Sequence, residues 1–105
     1  MKRLALILLA LSVGSSAAVA QSGRAQRGFQ FAQTHCSQCH AIGRFGDSPL
    51  SDAPPFRTLH TRYPIEDLAE AFAEGITTGH PSMPQFVLDP AQINDLLAYL
   101  ESIQG

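Results

Sequence analysis

Tryptophan is absent from this 105-residue chain, and lysine occurs once, at Lys2. Beyond residue 20 the cations are Arg24, Arg27, Arg44, Arg57 and Arg62. They face nine Asp and Glu residues, so five minus nine leaves that part a formal charge of −4. A nucleic-acid binder needs a basic stripe, and none is present. Modest acidity keeps a small protein soluble and favours a partner with a neutral or basic docking patch. Cysteine occurs twice, so a framework of several disulfides is excluded. No stretch alternates polar and apolar residues with the period of a strand. Serine-elbow and phosphate-loop motifs are missing, as are paired carboxylates in a credible cleft, so the chain is not expected to be an enzyme on its own.

Long apolar runs are also scarce. The longest, "LALILLALSV" from Leu4 to Val13, is about half the ~20 residues that a bilayer span requires. It follows Lys2 and Arg3 and precedes the small residues "GSSAAVA", ending in Ala18-Val19-Ala20. That order is expected of a signal peptide over residues 1–20, cut before Gln21. An uncleaved anchor is the alternative. No cysteine follows Ala20 directly, so a lipid anchor has no attachment point. The expected product is one soluble domain over residues 21–105 in a bacterial periplasm, with no membrane span and a monomeric state. A domain of that size gains little net stability from its own core, so a staple or cofactor that adds apolar bulk would help it fold.

Three stretches carry helical period. In "SGRAQRGFQFAQTHC", Ala25, Gly28, Phe29, Ala32 and Cys36 fall on one face, with Ser22 a candidate N-cap. Gly28 in a helix interior costs about 1 kcal/mol relative to alanine, which signals a close approach by another group. In "PIEDLAEAFAEG", Pro64 suits the first turn and Gly75 the stop, while Ile65, Leu68, Ala69 and Phe72 share a face. In "DPAQINDLLAYLESIQ", Asp89 caps, Pro90 starts, and Gln92 completes a capping box. Ile93, Leu96, Leu97, Leu100 and Ile103 form its apolar side. Long loops rich in Gly, Pro, Ser and Asp join these stretches, and loops of that length in a small domain carry function. The class expected is all-α.

Both cysteines lie in "HCSQCH", residues 35–40. Zinc would need four ligands, and no close pair of histidines follows the cysteines. A redox dithiol would need a preceding strand, whereas a helix precedes this motif. A disulfide here would close a very small loop and stabilise little. The reading that uses all three residues is covalent haem. Cys36 and Cys39 would add to its two vinyl groups, and His40, directly after, would be the proximal iron ligand. Export fits this reading, because c-type haem is attached after export.

With these residues in view, the chain resembles a small monohaem class I cytochrome c. "RGFQFAQTHCSQCHAIG" resembles that family's first helix and haem site, "HPSMPQF" its distal methionine loop, and "INDLLAYLESI" its last helix. The resemblance spans residues 24–104. It implies a cytochrome c fold in which three main helices and long loops wrap one covalent haem c, with the first and last helices crossing closely. An aromatic on the last helix, Tyr99, would pack over Gly28. It implies Met83 as the second axial ligand, with His80 as the rival. It also implies that a loop proline carbonyl accepts the other ring N–H of His40. Pro49 is the residue expected for that role, with Pro54 and Pro55 as alternatives. Arg57, Arg62 and Tyr63 would be candidates for the haem propionates. Phe31, Phe56, Leu59, Leu68, Phe72, Phe86, Leu96 and Leu100 would line the haem, although they would be core in any reading. The implied function is one-electron transport between Fe(III) and Fe(II), with a donor dehydrogenase or a terminal oxidase as partner. The alternatives are a haem-based gas sensor and the dedicated cytochrome of one dehydrogenase.

Overall fold

A computed structural model of the chain describes residues 13–76, 80 and 82–105, with side chains from residue 16 onward. The start and most of the apolar run of the expected leader lie outside the described residues. So do Thr77–Gly79 and Pro81 in the methionine loop. Three α-helices make the frame: α1 (Val13–His35), α2 (Leu68–Glu74) and α3 (Pro90–Ile103). Two 3₁₀ helices, Phe56–Thr61 and Ile65–Asp67, precede α2, and no strand occurs among the described residues.

Helix α1 begins earlier than its periodic face suggests. It runs through Ala20 and Gln21 unbroken, so Ser22 lies inside it and does not cap it. Alanine is frequent here and proline absent, so nothing local stops the helix. The stretch expected as one helix from Pro64 is divided. Pro64 sits just ahead of it in an extended conformation, residues 65–67 form a 3₁₀ helix, and α2 follows. Gly75 ends α2 at φ +102°, a conformation open to glycine and strained for other residues. Beyond it the chain folds back on α2, since Leu88 N–H donates to the Phe72 carbonyl at 2.9 Å. Helix α3 starts as its sequence signals. The Asp89 carboxylate accepts from Gln92 N–H at 2.8 Å, and the Gln92 side chain accepts from Asp89 N–H at 3.1 Å.

The core lies where α1 and α3 cross and where α2 and the 3₁₀ helices lean on α3. Ala32, Leu96 and Leu100 are almost fully enclosed, at 0%, 1% and 1% exposure. Phe56, Leu59, Ile65, Leu68, Phe72, Ile93 and Ile103 complete it. Gly28 explains the crossing. A Cβ built there would run into the backbone carbonyl of Asp95 and come within 2.7 Å of Tyr99 Cβ. The expected neighbour Tyr99 is present, but the tightest contact is with the α3 backbone. On either side of this point Arg27 pairs with the Asp95 carboxylate at 3.1 and 3.2 Å, and the Phe29 and Tyr99 rings meet at 5.4 Å between centroids. The ion pair is exposed on the arginine side, so close packing holds the crossing more than charge does.

Two substitutions test this frame in the haem-loaded protein. Gly28→Ala should lower stability by about 1–3 kcal/mol despite alanine's better helix propensity, because the opposing atoms are backbone and cannot turn aside. Asp89→Ala should cost about 1 kcal/mol through the lost cap. Denaturant midpoints at constant slope measure both.

Candidate haem site

Cys36, Cys39 and His40 come together because α1 ends in one more turn. Cys36 N–H donates to the Ala32 carbonyl at 2.8 Å, and Cys39 and His40 N–H both donate to the Cys36 carbonyl, at 3.2 and 3.0 Å. Residues spaced i, i+3 and i+4 on such a turn share a face. Two residues between the cysteines therefore present both thiols and the imidazole to one side. The strand of loop that follows is tied down at once. Ala41 N–H donates to Ser48 Oγ at 3.0 Å, Leu50 N–H to the Cys39 carbonyl at 3.1 Å, and Phe56 N–H to the Ala41 carbonyl at 2.9 Å.

Those ties decide the partner of His40. Its Nδ1 lies 2.8 Å from the Pro54 carbonyl, so Pro54 holds the ring and not Pro49. The physical reason is register. The Phe56–Ala41 bond sets the segment just before Phe56 opposite the His40 side chain, while Pro49 sits at an exposed bend next to Leu50. A carbonyl only accepts, so Nδ1 carries the proton and the lone pair of the neutral ring is on Nε2. The ring also packs on Phe56, with centroids 4.9 Å apart.

Both thiols are half-buried and unjoined. Burial, with a smaller contribution from the charge of Cys39, pushes the Cys36 thiol up to about 11. Redox dithiols depend on a depressed thiol pKa, so this environment is the opposite of theirs. Among the described residues no three His, Cys, Asp or Glu side chains gather as a metal cage, which leaves the zinc reading without its ligands. Paired thiols, an imidazole aimed by a carbonyl, and an aromatic wall fit a thioether-bound haem.

Met83 lies on the separate loop between α2 and α3. It is half-buried, and its N–H donates to the His80 carbonyl at 3.1 Å. His80 has both ring nitrogens engaged, Nδ1 with Ser82 N–H at 3.3 Å and Nε2 near the Asp52 carboxylate at 3.4 Å. His35 packs on Phe31 at 4.5 Å and meets Phe86 edge-on at 6.4 Å, and His60 bonds the Gln104 side chain. Arg57 donates to the Gly46 carbonyl at 2.8 Å, while Arg62 and Tyr63 are exposed. Ser48 and Gln104 had no signal in the sequence, because Ser48 meets a backbone group across an irregular loop and Gln104 meets one 48 residues away.

The cytochrome c family pattern matches residues 25–104. Cytochrome c-552 of Bradyrhizobium diazoefficiens is 30% identical over 98 residues, which is 93% of this chain and 92% of that protein. No solved structure matches the chain significantly. The family carries haem c on cysteine thioethers, and Cys36 and Cys39 are the two cysteines present for it, directly before His40. The chain belongs to the cytochrome c family, all-α carriers of electrons on a covalently attached haem c.

Proposed function

We propose that this cytochrome c is a monomeric one-electron carrier of a bacterial periplasm, with His40 and Met83 as axial ligands. The observation that carries this reading is the 2.8 Å contact of His40 Nδ1 with the Pro54 carbonyl, one helical turn after Cys36. When bound, haem c supplies a couple between Fe(III) and Fe(II). The work of the chain is to hold the donors still. Pro54 fixes the tautomer and direction of His40 and raises its basicity. Met83 offers a soft thioether sulfur, which favours Fe(II) and a higher potential than a second imidazole would give. His80, the rival donor, would first have to give up the contacts both its ring nitrogens make. The partners fitting this role are a donor dehydrogenase and a terminal oxidase, meeting an acidic, lysine-free surface.

Export is supported by the leader pattern of residues 1–20 and by the exposure of Ser16–Ser22 on α1. The buried residues of that helix begin at Gly28, so cleavage before Gln21 removes no core contact. No described helix is long and apolar enough to cross a membrane. The protein recovered from periplasm should have the mass of residues 21–105 plus one haem. Recovery with residues 1–20 attached would instead favour an anchored form.

Optical spectra of wild type and two variants test the ligands. The ferric wild type should show the weak far-red charge-transfer band of methionine sulfur on iron. Met83→Ala should lose it and fall in reduction potential, while His80→Ala should keep it. A ferric wild type without the band, whose low-spin spectrum is changed by His80→Ala but not by Met83→Ala, would make His80 the ligand. A wild type without the band that binds carbon monoxide when reduced would replace the carrier reading with gas sensing.

A further inference from the structure

We propose that Gln104, just past the end of α3, is a positioning residue for the proximal ligand. Through Phe56 it sets the strength of the bond between His40 and Pro54 and thereby tunes the reduction potential. This rests on His40 as the iron ligand.

The side-chain amide of Gln104 is saturated. Nε2 donates to the Phe56 carbonyl at 2.7 Å and to the Leu100 carbonyl at 2.8 Å. Oε1 accepts from His60 N–H at 2.9 Å and from His60 Nδ1 at 2.8 Å. An amide has two N–H donors and two lone pairs, so every capacity is used. The orientation is also unique. A flipped amide would set oxygen against two carbonyls and N–H₂ against a backbone N–H. The Leu100 bond lies within the end of α3, and the other three grip the 3₁₀ helix over Phe56–Thr61 at both of its ends.

That helix is the rear wall of the proximal site. The Phe56 ring packs at a tilt on His40, with centroids 4.9 Å apart, and Phe56 N–H donates to the carbonyl of Ala41, the residue after the ligand. Pro54 lies two residues before Phe56, joined to it through Pro55 at φ −59° and ψ 139°. Two consecutive prolines make that link stiff. A displacement of the Phe56 carbonyl therefore reaches the Pro54 carbonyl with little loss. The C-terminal part of α3 ties the residues just after His40 as well. Tyr99 Oη–H donates to the Ile42 carbonyl at 2.6 Å, and Arg44 donates to the Ser102 carbonyl at 2.8 Å. Gln104 is the member of this set that acts on the segment holding the acceptor of the His40 proton.

The sign follows from the donor. A firm Nδ1–H···O bond raises the electron-donating power of imidazole and favours Fe(III). Loosening it weakens the donor and favours Fe(II), so the potential should rise.

The test uses the haem-loaded protein with Gln104→Met, Gln104→Ala and His60→Ala. Met keeps the length of Gln without its hydrogen bonds. His60→Ala removes the ring contact but leaves Nε2 on Phe56. The readouts are the reduction potential and exchange of the His40 Nδ1 proton, followed by NMR in the reduced state. Both Gln104 variants should shift the potential upward and speed exchange about fivefold, the factor that one net hydrogen bond carries. His60→Ala should leave both readouts at wild-type values. If the Gln104 variants lose thermal stability but keep the wild-type potential and exchange, Gln104 is only a staple and the proposal is overturned. If His60→Ala moves the readouts equally, the route through Phe56 is wrong. If wild type shows no iron-bound histidine at residue 40, the ligand assignment itself has failed, and NMR separates that outcome from the others.

Discussion

The backbone contact between α1 and α3 at Gly28 is the constraint on which the rest of the structure depends. Side chains can adjust by rotating, but a carbonyl within a helix cannot. Asp95 therefore fixes the separation of the two helices to the thickness of one hydrogen atom on Gly28. That separation brings Ala32 into the core beside Leu96 and Leu100, and it sets where α1 must end. The haem-attachment turn is an extension of α1, so the position of Cys36, Cys39 and His40 follows from a contact two turns upstream.

From that anchor the molecule closes on itself by way of α3. Its middle meets Gly28, and its end reaches Ile42, Arg44 and Phe56 through Tyr99, Ser102 and Gln104. The loop after His40 is thereby fastened at Ile42, Arg44 and Phe56, although it has little regular structure of its own. A small domain with a modest core gains order here from side-chain bonds to backbone carbonyls, which need no extra apolar mass.

What could be read from the chain, and what could not, divides along the range of the interactions. The Asp89–Gln92 cap, the stop at Gly75 and the thiol and imidazole face of "CSQCH" are local. Each was legible from neighbouring residues. Gly28 was legible as a close approach, since a glycine inside a helix costs free energy without return unless something comes near. Its partner atom was not, because backbone carbonyls carry no mark in the sequence. The acceptor for His40 failed for the same kind of reason. Choosing between Pro49 and Pro54 required the register of a loop set by the Phe56–Ala41 bond, and loop length alone carries no register. The N-cap at Ser22 failed because a helix ends only where something stops it, and nothing between Val13 and Ser22 does. The 3₁₀ helix over Phe56–Thr61 has too short a period to stand out, and tertiary bonds from Gln104 hold it.

The buried hydroxyl of Tyr99 carries one more consequence, an alkaline limit on the fold. Burial raises this phenol above its ordinary value near 10, with Arg44 drawing it partly back. As pH climbs past that ordinary value, the unfolded chain releases its tyrosine proton while the folded one still holds it. Proton release then favours the unfolded state, and stability falls with each further step upward. When Tyr99 finally ionises it can no longer donate to the Ile42 carbonyl. Strong base therefore undoes the tie fastening α3 to the segment directly after His40.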